Sequence, residues 1–200
     1  MTDWVRWHDE YADPDSSLSR RRVVVQRFLR RVLDSAASDG EVRLISMCAG
    51  DGRDVLPVLA SHPRGGRVRA VLVELDPELS GRARAAAGPG VEVRTADAGL
   101  AESYRGLAPA HVVLACGVFG NISAADVETT VAALPALLMP GGHVIWTRGR
   151  GAGDVDPSQG VRDVFDRHGF EELAFVAPQD ARFRVGLSRL VLPPRLFRFA

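Results

Sequence analysis

Two rhythms of apolar residues run along this 200-residue chain. From Ser17 to about Ala37, Leu18, Val25, Phe28, Leu29 and Val32 fall near one helical face, with Arg20, Arg27, Arg30 and Arg31 mostly elsewhere, which predicts an amphipathic helix ended by Asp39-Gly40. Beyond it the rhythm changes to short apolar runs bounded by Gly, Pro and Asp. These predict strands over Val42 to Met47, Val68 to Glu74, Val91 to Thr95, His111 to Cys116 and His143 to Thr147. Helical stretches separate them. One runs from about Gly52 to Ser61, and one from the Asp76-Pro77 start to about Ala87. Ser123-Ala124-Ala125-Asp126 reads as a capping box for a third, with Val127, Val131, Leu134 and Leu138 on one stripe and Pro135 expected to kink or end it. Gly99 to Leu107 is a short helix or loop. A last helix spans Asp156-Pro157 to His168-Gly169, and strands over Glu171 to Ala177 and Phe183 to Val191 close the chain as an antiparallel pair.

Strands alternating with helices predict a parallel sheet covered on both faces, and His111 to Cys116 is continuous enough to be buried on both. The expected architecture is a three-layer α/β Rossmann-like fold. Its sheet has seven strands, mostly parallel, with an antiparallel C-terminal strand. One domain is expected over 1–200: a cap helix over 1–40, a ligand-binding half over 41–150, and a C-terminal helix and strand pair over 151–200. Ligands of such sheets bind at the carboxyl ends of the strands, where strand order reverses.

Four predicted strand ends carry chemistry. Strand 1 ends in Cys48-Ala49-Gly50-Asp51-Gly52, where glycine lets a ligand lie against bare backbone and the next helix turns its first amides toward the same spot. Glu74 stands 22 positions after Gly52, and a carboxylate there accepts both hydroxyls of a ribose. Thr95-Ala96-Asp97-Ala98 offers an acceptor for an adenine amino group. Cys116-Gly117-Val118-Phe119-Gly120-Asn121 makes a small-residue floor beside the reactive end of a ligand.

With these residues the chain resembles the class I S-adenosylmethionine-dependent methyltransferases. Val71 to Leu79, Thr95 to Ala98, His111 to Cys116 and Leu137 to Val144 are similar to that family's second to fifth motifs, and the resemblance spans roughly 41–191. It implies S-adenosylmethionine as cofactor, held by Cys48, Ala49, Gly50, Gly52, Glu74, Leu75, Asp97, Ala98, Cys116 and Gly117. Gly50 and Gly52 would approach the methionine part, Glu74 the ribose and Asp97 the adenine. Two positions depart from the pattern: Ser46 stands where the family usually has an acidic residue, and Cys48 where it has glycine. Contacts to the methionine end are therefore expected from elsewhere, with Tyr11 or one of Arg20 to Arg22 as charge complement to its carboxylate.

Composition narrows the alternatives. All 25 basic residues are arginine, so no lysine serves a P-loop, a Schiff base or a Ser-Lys pair. They balance 25 acidic residues, which argues against a basic nucleic-acid surface, and the strand-4 loop lacks the Asp/Asn-Pro-Pro-Tyr/Phe motif of base-amine methylation. A small-molecule acceptor is the preferred partner. The five histidines are scattered without metal spacing. Cys48 and Cys116 read as packing residues lining one rim of the pocket. No apolar run approaches a membrane span and the N-terminus does not read as a signal peptide, so a cytoplasmic setting is expected. Trp4, Trp7, His8 and Tyr11 form an aromatic cluster that packs on the core or serves as a lid. Two rival readings stand beside methyl transfer. One is a degenerate methyltransferase fold that binds a ligand or partner. The other is an NAD(P)-dependent oxidoreductase, whose Gly-x-Gly-x-x-Gly/Ala fingerprint fails at Val55.

Overall fold

The structure, a computed structural model, describes residues 11–36, 40–151 and 156–191. Helix α1 (Ser17–Ser35) starts where the Ser16 hydroxyl accepts the Ser19 amide at 3.1 Å, and stops where Ala36 turns extended. Val25, Phe28, Leu29, Val32 and Leu33 are its buried stripe. Burying each is worth roughly 2 kcal/mol, so docking on the sheet rather than helix propensity holds α1 in place.

The sheet has seven strands: β1 (Val42–Met47), β2 (Val68–Glu74), β3 (Val91–Thr95), β4 (Ala110–Ala115), β5 (Leu138–Gly149), β6 (Phe170–Val176) and β7 (Phe183–Leu190). Their order is β3-β2-β1-β4-β5-β7-β6. The first five are parallel, and β7 runs antiparallel between β5 and β6. Helices α2 (Leu56–Ser61), α3 (Pro77–Ala86), α4 (Ala124–Leu137) and α5 (Ser158–Arg167) fill the connections. Two apolar cores result. One joins α1 and α2 to Leu44, Leu72, Leu114 and Ile145, and the other joins α4 and α5 to Ile45, Val71, Val113 and Trp146. The fold is therefore the three-layer α/β arrangement, a mostly parallel seven-stranded sheet between helical layers, with the strand order reversing between β1 and β4. No helix among the described residues is long and apolar enough to cross a membrane.

Three local expectations are corrected. The helix after β1 begins at Leu56 rather than Gly52, because the left-handed Gly52 (φ 79°) sits in a run of turns before it. Pro135 stands where the sequence places the end of α4, which stops two residues later at Leu137. Leu138 consequently opens β5 instead of extending the α4 stripe. Pro140-Gly141-Gly142 forms a bulge inside β5, which shifts the β4 register between Ala110 and Val112.

Candidate cofactor site at the strand ends

The chain leaves β1 through an unusual backbone. Cys48, Gly50 and Gly52 all adopt positive φ, at 48°, 58° and 79°. For Cys48 this is a strained conformation that favours glycine, costing about 1 kcal/mol. The turn is laced to β2: the Ala49 amide donates to the Val73 carbonyl at 2.9 Å, and the Gly50 amide to Glu74 Oε2 at 2.7 Å. Glu74 Oε1 accepts the Asp76 amide at 2.9 Å, while Asp76 Oδ1 caps α3 by accepting the Glu78 and Leu79 amides. Two backbone amides thus aim the Glu74 carboxylate along the strand ends, and each oxygen keeps a lone pair for a further donor.

Asp97 follows β3 as an exposed side chain, with Oδ1 accepting the Gly99 amide at 2.8 Å. The Tyr104 hydroxyl closes this loop by donating to the Ala98 carbonyl. Beside Asp97 opens a cleft of about 710 Å³ lined by Ala96, Leu100, Ser103 and the charged Arg94, Glu102 and Arg105. Two large apolar side chains stand in solvent here, Leu75 at 67% and Leu100 at 49% exposure. After β4, the Gly117 amide donates to Thr147 Oγ1 at 2.8 Å, tying the floor of the site to the end of β5.

The expected residues are not all alike in placement. Cys48, Gly50, Glu74 and Asp97 come together: partial desolvation pushes the thiol of the solvent-accessible Cys48 up to about 11, and the neighbouring Glu74 and Asp97 carboxylates add to it. Gly52 faces the interior instead. A Cβ there would lie 2.6 Å from Leu56 Cδ1 and 3.0 Å from Leu72 Cδ2, so this glycine serves close packing of turn on strand. The amides expected at the helix start are also spent within the turn, Gly52 on the Ala49 carbonyl and Arg53 on Asp51. The cysteines cap adjacent strands but do not share a rim. Cys48 is exposed near Glu74 and Asp97, whereas buried Cys116 faces Tyr11, Arg21 and Asp54, and its thiol is pushed up chiefly by burial.

A polar network between α1 and the β1–α2 turn had no counterpart among the expected site residues beyond Tyr11 and Arg21. Arg21, 92% buried at its side chain, pairs with Asp54 at 3.0 Å and donates to the Tyr11 hydroxyl. Burial pulls the Arg21 pKa down, but Asp54, Tyr11 and Cys116 together more than restore it; burial and Asp54 hold the Tyr11 phenol neutral, well above its usual range. The guanidiniums of Arg53 and Arg22 lie 4.2 and 5.5 Å from the Tyr11 ring centre. Within this network Arg21 Nε and Asp54 Oδ1 are buried without a hydrogen-bond partner. Arg20 goes elsewhere, to Asp180. Trp4, Trp7 and His8, the rest of the aromatic cluster, lie outside the described residues. Ser46 is buried in β1 on the Leu44 side of the sheet, the side against which α1 packs.

No protein-family profile matches the chain, and no curated protein sequence matches it. Solved structures do. Magnesium protoporphyrin IX methyltransferase from Synechocystis PCC 6803, crystallised with S-adenosylmethionine, superposes with a TM-score of 0.70 at 13% identity, over 94% of this chain and 91% of that one. A TehB-like S-adenosylmethionine-dependent methyltransferase from Corynebacterium glutamicum gives 0.60 at 18% identity, over 80% and 86%. The chain has the class I methyltransferase fold. The same fold includes the [4+2]-cyclase SpnF, which matches with a TM-score of 0.60 at 15% identity, over 82% of this chain and 80% of that one.

Proposed function

We propose that this protein binds S-adenosylmethionine across the ends of β1 to β4 and passes its methyl group to a small-molecule acceptor. The observation that carries the reading is the Glu74 carboxylate at the end of β2, held by the Gly50 and Asp76 amides against the β1 turn, one strand from where strand order reverses. Glu74 would hold the ribose hydroxyls and Asp97 the adenine amino group, with the exposed Leu75 as an apolar surface for the base. Gly50 would bring bare backbone to the methionine part. The buried donor Arg21 Nε and acceptor Asp54 Oδ1 match an amino acid's carboxylate and ammonium in kind, and Asp54 would supply the negative charge that Ser46 does not. Cys116 and Gly117 would floor the reactive end. The cofactor, when bound, supplies a methyl group on a sulfonium whose departure as a neutral thioether drives the transfer. The protein's own contribution is to hold the acceptor in line, which is catalysis by proximity and orientation.

A second reading has specific support: ligand binding on this fold without methyl transfer. The departures at Ser46 and Cys48 favour it, and a cyclase on the same fold gives it precedent. An oxidoreductase reading is disfavoured by the strand order, because β7 runs antiparallel between β5 and β6 where dinucleotide-binding sheets continue in parallel. Calorimetric titration with S-adenosylmethionine and with NADH tests the proposal: binding of the first and not the second supports it, and the reverse refutes it. Label transfer from methyl-labelled cofactor into extract metabolites then separates turnover from binding alone.

A further inference from the structure

Four arginines meet where β5 ends and β7 begins. Register pairs Arg148 with Arg184, and the next step brings the Arg150 amide onto the Arg182 carbonyl at 2.8 Å. Residues two apart on a strand share a face, as do cross-strand partners, so all four side chains leave from the same face of the sheet. Like charges directly opposite are unfavourable. Water screens this where the residues are exposed, as Arg150 and Arg182 are, and much less where Arg184 is buried and Arg148 half-buried. Among the described residues a carboxylate answers only one of the four: Asp156 pairs with Arg184. Asp180 is taken by Arg20. Among the described residues, Arg148, Arg150 and Arg182 form no ion pair.

The surplus positive charge borders the candidate site. An Arg148 guanidinium nitrogen lies 3.4 Å from where a Cβ on Gly120 would stand, so Arg148 reaches over the loop that begins with Cys116 and Gly117. Gly120 leaves the room for it. Thr147, one residue before Arg148, binds the Gly117 amide and fixes this strand end against that floor.

We propose that Arg148, Arg150 and Arg182 form an anion-binding subsite, and that the methyl acceptor carries a carboxylate or phosphate group held there. The acceptor assignment rests on the cofactor reading above. Planar guanidinium groups are suited to both anions, since each offers paired donors to two oxygens. The subsite would bind and orient the acceptor through its charged end, leaving the atom to be methylated over the Cys116–Gly117 floor.

The test uses phenyl phosphate, with phenol as its neutral counterpart, titrated into the full chain with and without saturating S-adenosylhomocysteine. The parent protein is expected to bind phenyl phosphate at least about tenfold more tightly than phenol. Arg148→Gln, Arg150→Gln and Arg182→Gln are each expected to weaken it about threefold to tenfold, as losing one charge-assisted contact does at a partly exposed site. Arg67→Gln, beside the first residue of β2 at the far end of the parallel strands, should change nothing. Unchanged S-adenosylhomocysteine affinity in the variants shows that they fold. The proposal is overturned if phenyl phosphate is not preferred to phenol, or if Arg67→Gln weakens it as much as the others. Should the parent fail to bind S-adenosylhomocysteine, the cofactor reading falls and with it the acceptor role. The titration without it would still decide whether the arginines hold an anion.

Discussion

At the scale of single residues, the turn after β1 holds glycines that look equivalent in the sequence and do different work. Gly50 turns its amide to the Glu74 carboxylate, while Gly52 meets Leu56 and Leu72 in the interior. Spacing revealed that both were needed, but not which one packs inward, because that depends on the Leu56 and Leu72 side chains that fold back from α2 and β2. Cys48, two residues before Gly50, adopts a strained left-handed conformation. The residue is accessible to solvent, though partial desolvation of its thiol and the nearby Glu74 and Asp97 carboxylates raise it to about 11, while Cys116 is buried. Iodoacetamide should therefore label Cys48 ahead of Cys116, at a rate that climbs with pH toward about 11 as thiolate forms. S-adenosylhomocysteine should slow that labelling. Site-resolved mass spectrometry checks both, and Cys116 reacting first would contradict the placement.

At the scale of elements, periodicity was enough for the five parallel strands and the main helices, because each buries a distinct face. It failed where backbone conformation, not burial, sets the boundary: the delayed start of α2 behind Gly52, and the passage from α4 into β5 at Leu138. The contact between α1 and the β1–α2 turn was only half legible. Arg21 was a candidate, but Asp54 lies 33 positions away and nothing local marks it as the partner. Breaking a buried pair on one side leaves a charge uncompensated, so Arg21→Met should cost about 3 kcal/mol or more in urea unfolding. The double variant Arg21→Met/Asp54→Leu should regain most of that stability but bind S-adenosylhomocysteine poorly. Full retention of affinity in the double variant would make the network structural only.

At the scale of the whole molecule, a net charge of zero conceals segregation: basic side chains gather where β5 ends and β7 begins, and their one buried member is balanced by Asp156. Burial alone would raise the Asp156 pKa, but hydrogen bonds from Ser158 and the Arg184 guanidinium hold it at about 2, below its usual 3.8. A depressed carboxyl adds stability that is fully present above its unfolded pKa and is lost as pH falls through the folded value. The stability gap between the parent and Asp156→Asn should therefore close between about pH 4 and pH 2, and a gap constant across that range in urea unfolding would rule the linkage out. The position of β7 between β5 and β6 was not readable from the sequence, since an antiparallel terminal pair is compatible with either order at the sheet edge.

The central claim is that Glu74 grips the sugar of an adenosyl ligand at the carboxyl ends of the parallel strands. Calorimetric titration of S-adenosylhomocysteine into the parent and into Glu74→Ala tests it most directly. Loss of a carboxylate that accepts two hydroxyls is expected to weaken binding by about tenfold or more, with the parent binding at a single site. Equal affinity in the two proteins, or no binding to the parent, would contradict the account.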